Sequence, residues 1–95
     1  MDAPPSFLDG AVVLYWAQSP SDRPFSYRER HGRRDIALVG LAIASYSDAN
    51  NVYLFECDHN WRVHADTVWG SVDEAMAAAE DDLGAPRTDW MKTDS

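Results

Sequence analysis

Residues 52–65, VYLFECDHNWRVHA, read as two short strands joined by a turn. VYLFEC and WRVHA are rich in β-branched and aromatic residues, which favour a pleated, half-buried surface. Between them, Asp58 suits the first position of a type I turn, and Asn60 tolerates the left-handed conformation that a three-residue loop requires. That loop sets Cys57 opposite Trp61, Phe55 opposite Val63 and Tyr53 opposite Ala65, all on one apolar face. The other face pairs Glu56 with Arg62, Leu54 with His64 and Val52 with Asp66. One register thus gives an apolar side and an opposite-charge pair together.

Outward from this hairpin the pattern is of strands first and a helix last. Residues 11–17 (AVVLYWA) read as a strand with Val12, Leu14 and Trp16 on one face and Val13 and Tyr15 on the other. Residues 18–24 carry turn residues, and residues 25–30 form an optional strand that His31 and Gly32 could turn into the next. Residues 35–47 compete between a buried helix and a strand. Ile36, Val39 and Ile43 are β-branched, and Gly40 weakens a helix by about 1 kcal/mol, so a strand bent near Gly40 is preferred. A turn follows over residues 47–51.

Residues 71–83 form the helix. Ser71 and Glu74 fit a capping box, Gly84 ends the helix, and Pro86 prevents its resumption. Val72, Ala75, Met76, Ala79 and Leu83 fall on one stripe. The alanines predict close packing on the sheet face of Tyr53, Phe55, Trp61 and Val63, with Trp90 closing one end. The expected fold is α+β: an antiparallel meander of four strands, five if residues 25–30 pair, with one C-terminal helix packed on one face. Residues 1–10, with two prolines and a glycine, are expected as a flexible N-terminal tail before a single domain over residues 11–95.

Composition narrows the function classes. Cys57 is the sole cysteine, so no internal disulfide can form. Met1, Asp2 and Ala3 do not open a basic or apolar leader, and the nine-residue apolar run 36–44 is too short to span a bilayer. A cytoplasmic protein without membrane contact is expected. Net charge is −8, and five of the eight basic residues (Arg23, Arg28, Arg30, Arg33 and Arg34) lie within residues 23–34. Nucleic acid is disfavoured as the main partner, since phosphate binding draws on a basic footprint.

Cys57, Asp58, His59, His64 and Asp66 carry ligand and nucleophile chemistry in one short span. In the favoured register, however, Cys57 points to the core while His64 and Asp66 point away, so they would not converge. No catalytic residue, metal or cofactor is expected. The candidate contact residues are instead Glu80, Asp81 and Asp82, with Arg28, Arg30, Arg33 and Arg34 as a second, basic set. The acids occupy the helix's last turns, where the macrodipole favours cations and each acid costs about 0.3–1 kcal/mol. Functional demand is one reason for such a violation to persist.

The run VYLFECD at 52–58, then Trp61, Arg62, Val63, Ala65, Asp66, Thr67 and SVDEA at 71–75 with Ala79 and Glu80, resembles a group of small bacterial α+β proteins. Some of these are similar to the immunity proteins that accompany polymorphic toxins. The resemblance covers positions 52–80. It implies fold elements (turn, cap and core Trp) and assigns no functional residue. The function expected is a non-enzymatic, immunity-like protein-binding domain that presents an acidic surface to a basic protein. The alternative is a small ligand-binding or enzymatic domain with a pocket near residues 28–34. A homodimer through an open strand edge or sheet face is a further expectation.

Overall fold

The computed structural model describes residues 1–20, 23–30, 32–47 and 49–93, with the side chains of all but Arg30, Arg33, Arg34 and Asp35. Its elements in order are β1 (Phe7–Leu8), β2 (Ala11–Gln18), β3 (Ser26–Arg30), β4 (Arg33–Leu38), β5 (Gly40–Ser45), β6 (Val52–Cys57), β7 (Val63–Trp69), α1 (Val72–Leu83), a 3-10 turn (Arg87–Asp89) and β8 (Met91–Lys92). A curled antiparallel sheet runs β1-β2-β5-β6-β7, with β8 also on β2, and β3–β4 forms a separate ribbon. The α+β class stands, with more strands than the four or five expected. The 35–47 stretch is extended rather than helical and breaks at Val39, next to the expected bend. Ser21, Asp22, His31 and Asp48, placed above in turns, lie outside the described residues. No described helix is long and apolar enough to cross a membrane.

The sheet has a core on each face. Ala17, Leu41, Ile43, Val52 and Leu54 meet Ala75 and Ala79 of α1 on one side, with Trp69 and Trp90 packed against them. On the other side, Leu8, Ala11, Val13, Phe55, Cys57 and Trp61 form a second cluster, bordered by Trp16, Tyr46, Tyr53 and Val63. The helix therefore covers the face opposite to the one expected. Small alanines approach aliphatic Val52 and Leu54 closely, whereas the aromatic face carries rings that pack on each other. Trp16 and Trp61 meet edge-on at 6.1 Å, and Tyr53 stacks on Phe55 at 6.1 Å.

Tyr53, Phe55, Trp61 and Val63 do share one face as expected, whereas two bulges change the faces of β2 and β7. In β2, Val13 pairs Ala44 and Tyr15 pairs Ile43, so Leu14 is an extra residue. Leu14 and Tyr15 both turn to the helix side, and Trp16 joins Val13 rather than Leu14. In β7, Cys57 pairs Val63 while Glu56 pairs Ala65, leaving His64 as the extra residue. The expected register is wrong: Phe55 opposes Asp66, Leu54 opposes Thr67, Tyr53 opposes Val68 and Val52 opposes Trp69.

The connection is residues 58–62, two longer than expected. Asp58 organises it: its Oδ1 accepts from the Asn60 and Arg62 backbone N–H groups at 2.8 and 3.0 Å. Trp61 takes a left-handed backbone, φ 60°, unusual for a bulky residue. That conformation costs about 1–3 kcal/mol. Burying an indole withdraws about 150–250 Å² from water, worth roughly 4–6 kcal/mol at most. Trp61 is only 7% exposed, and its Nε1 donates to the Asp2 carbonyl at 2.8 Å. The Glu56–Arg62 pair of the shorter loop, worth about 1 kcal/mol or less where exposed, is not formed. Glu56 instead accepts from Ser26 Oγ at 2.9 Å.

The first ten residues, read above as a flexible tail, are placed against the aromatic side. Gln18 Nε2 donates to the Met1 carbonyl at 2.7 Å, and Tyr46 Oη donates to the Asp9 carbonyl at 2.8 Å. Asp9 and Gly10, at φ 49° and 82°, make the two-residue turn joining β1 to β2.

Gly40 is where the indole needs space. A Cβ there would lie 2.7 Å from Trp61 Cζ3 and 2.9 Å from Cη2. Gly40→Ala is predicted to destabilise the fold by about 1–3 kcal/mol in urea melts and to cost little in a Trp61→Ala background. Equal costs in both backgrounds would refute this close packing.

Candidate functional site

The helix is fixed at both ends by local chemistry. Ser71 Oγ accepts from the Glu74 N–H at 3.1 Å, and Glu74 Oε2 accepts from the Gly70 N–H at 2.9 Å, one residue before the usual capping-box partner. Gly84, at φ 68°, closes the other end, with its N–H donating to the Glu80 carbonyl and the Ala85 N–H to that of Ala79. With Ala75 and Ala79 turned to the sheet, a second flank of α1 faces the end of β7. Glu74, Ala77, Ala78, Asp81 and Asp82 line a groove of about 500 Å³ there together with Trp69. Ala78 is buried and Ala77 and Trp69 are half-buried, giving an apolar floor, while Glu74, Asp81 and Asp82 are exposed.

The three acids singled out from the sequence are divided. Asp81 and Asp82 line the groove; Glu80 is exposed but not part of it. No basic residue occupies the last turn of α1. Arg87, just beyond the helix, is committed to Asp73: its Nη1 lies 2.6 Å from Oδ1 and its Nη2 donates to the Asp73 carbonyl at 3.1 Å. That hydrogen bond and the attraction of the two charges hold Asp73 below the usual carboxylate range. The same hydrogen bond raises Arg87 first, then the charge of Asp73, with smaller contributions from Glu80 and Asp81.

The basic set forms a ribbon rather than a loop. Arg28, exposed on β3, opposes Ile36, Arg30 opposes Arg33, and Arg34 opposes Glu29. The side chains of Arg30, Arg33 and Arg34 lie outside the described set. Among the described residues no ion pair joins this ribbon to α1.

Cys57 lies in the aromatic core, and burial first, then the charges of Asp58, Asp9 and Glu56, push its thiol up to about 12. His59 is exposed on the loop and Asp66 on β7. His64, the bulge residue, places Nε2 2.9 Å from Asp58 Oδ2. Burial is the largest influence on Asp58 and pushes it up. Hydrogen bonds from His64, Arg62 and Asn60 outweigh it, leaving the carboxyl below its ordinary value. Among the described residues, no three His, Cys, Asp or Glu side chains converge to hold a metal ion. The Asp58–His64 contact closes the 58–62 loop.

Trp69, Glu74 and Ala77 were missed by the sequence reading. Residues 74, 77, 78 and 81 recur at helical spacing, a signal for a second flank that the stronger core stripe obscured. Thr67, Val68 and Trp69 have β propensity and carry β7 past the expected strand end at Ala65.

Two outcomes test this local chemistry. Cys57 should react with a thiol reagent only at the rate of unfolding, because burial and neighbouring acids disfavour its thiolate; prompt reaction of the native protein would place it elsewhere. Asp58 contributes stability above its unfolded pKa that is lost as pH falls through its depressed folded value. Asp58→Asn should therefore lower stability at neutral pH and flatten its decline in acid, measured by urea melts across pH.

Against known proteins, the chain matches no protein-family model, no curated protein and no solved structure.

Proposed function

We propose that the chain is a non-enzymatic protein-binding domain that engages a basic protein partner through the acidic flank of α1, in the manner of an immunity protein. The carrying observation is the groove in which exposed Glu74, Asp81 and Asp82 surround the apolar floor of Ala77, Ala78 and Trp69. A buried apolar centre with a charged rim is the arrangement by which protein interfaces combine affinity with orientation. Asp81 and Asp82, like Glu80, stand where the helix's own field opposes them. A bound cationic side chain relieves that conflict.

The net charge of −8 supports the same partner class. Electrostatic attraction would steer a basic protein to this face, accelerate association and make it sensitive to salt. The resemblance of residues 52–80 to small acidic immunity-like proteins points to a toxin domain as one such partner.

Neutralising all three acids, as Glu80→Gln, Asp81→Asn and Asp82→Asn together, should raise the melting temperature, since the helix end loses unfavourable charges. The same variant should lose the basic proteins that the wild type captures at low salt and releases at high salt. Unchanged capture with unchanged salt dependence would remove this reading.

A further inference from the structure

The two edges of the sheet are treated differently. The outer edge of β2 is paired from Ala11 to Trp16. β1 pairs Ala11 and Val12, and β8 pairs Tyr15 and Trp16. The Val13 N–H donates to the Ser6 carbonyl, and the Leu14 carbonyl accepts from the Thr93 N–H, filling the interval. At the opposite edge, β7 pairs with β6 alone among the described residues. An open strand offers alternate N–H and C=O groups to another chain. Folded proteins commonly blunt such edges with Lys, Pro or a bulge. The bulge of β7 lies at its beginning, at His64, and the ladder from Ala65 to Trp69 is regular, with no Lys or Pro and one acid, Asp66.

Both faces of this edge are prepared for side chains. Val68 is 53% exposed and opposes Tyr53 on the aromatic side. Trp69 points the other way, into the groove beside α1. A strand added to β7 would direct alternate side chains to these two places. A lysine or arginine in the groove could lay its stem over Ala77 and Ala78, near the face of Trp69, and bring its charged head to Asp81 and Asp82. Apolar residues on the other face would cover Val68.

We infer that β7 receives an extended segment of a basic protein partner as an additional strand, with basic side chains seated in the α1–β7 groove. This rests on the reading of the chain as a protein-binding domain and specifies how the partner is held. A second copy of this chain is the wrong occupant, because β7 against β7 would bring Asp66, Glu74, Asp81 and Asp82 towards their own counterparts. Main-chain hydrogen bonds would supply affinity and the groove would select charge, the division of labour seen when peptides add to sheet edges.

The test uses the full chain, isotopically labelled, and a capped heptapeptide alternating lysine and valine. Controls are the same peptide N-methylated at alternate backbone nitrogens and a glutamate–valine counterpart. The parent peptide should slow amide exchange within Val63–Trp69 and shift the α1 resonances of Ala77, Asp81 and Asp82. N-methylation should weaken it about tenfold or more through lost main-chain bonds, and the acidic peptide should not bind. If the methylated peptide binds as well as its parent, with shifts confined to α1, strand addition is wrong while the acidic contact stands. Absence of any perturbation by the parent peptide overturns strand addition, and the capture experiment on the acid-neutralised variant then decides the broader reading independently. Concentration-dependent protection of β7 in the chain alone would make a second copy the occupant and overturn the inference.

Discussion

Burial of one indole governs the architecture. Trp61 lies over Gly40 and in the cluster of Cys57, with a left-handed backbone and a connection of residues 58–62 after β6. Asp58 makes that loop possible by accepting two backbone hydrogen bonds and the His64 contact. The longer loop, followed by the bulge at His64, determines which face every later β7 side chain occupies. Trp69 consequently emerges on the helix side and Val68 on the aromatic side. The groove and the two-faced edge both depend on that outcome.

The helix adds a second constraint. Its alanines bring it close to Val52 and Leu54, while its caps fix where it starts and stops. Close packing places the flank of Glu74, Ala77, Ala78 and Asp81 beside the end of β7, with both acids exposed at its rim. Acids on the surface of a small protein are ordinary; what sets these apart is the partly apolar groove between them and the edge strand β7 beside it. The paired β2 edge sharpens the contrast, since β1 and β8 are short segments whose pairing leaves no comparable template there.

Much of the fold could be read from the residues because local signals agreed with the final structure. Ser71, Glu74 and Gly84 marked the helix, and β-branched residues around Gly40 marked an extended stretch, although it divides at Val39 into β4 and β5 of two different sheets. The bulges at Leu14 and His64 could not be read, since one extra residue has no compositional mark and its effect is decided by which packing buries more. The three-residue loop follows from the turn propensities of Asp58 and Asn60 and from a register that joins an apolar face to a Glu56–Arg62 pair; the observed register keeps Phe55, Cys57, Trp61 and Val63 together but places a bulge after Val63 that neither signal marks. Asp9 and Gly10 did carry a legible hairpin signal that the prolines nearby overshadowed. For the site, the exposure of Glu80, Asp81 and Asp82 followed from helical spacing. The division between Glu80 and the other two, and the participation of Trp69, required the β7 register.

That register can be measured directly by nuclear Overhauser contacts between cross-strand backbone protons of β6 and β7. The account predicts contacts of Tyr53 with Val68, Leu54 with Thr67 and Glu56 with Ala65. Contacts of Phe55 with Val63 and Leu54 with His64 would restore the shorter loop, return Trp69 to an unpaired position and contradict the groove on which the functional reading stands.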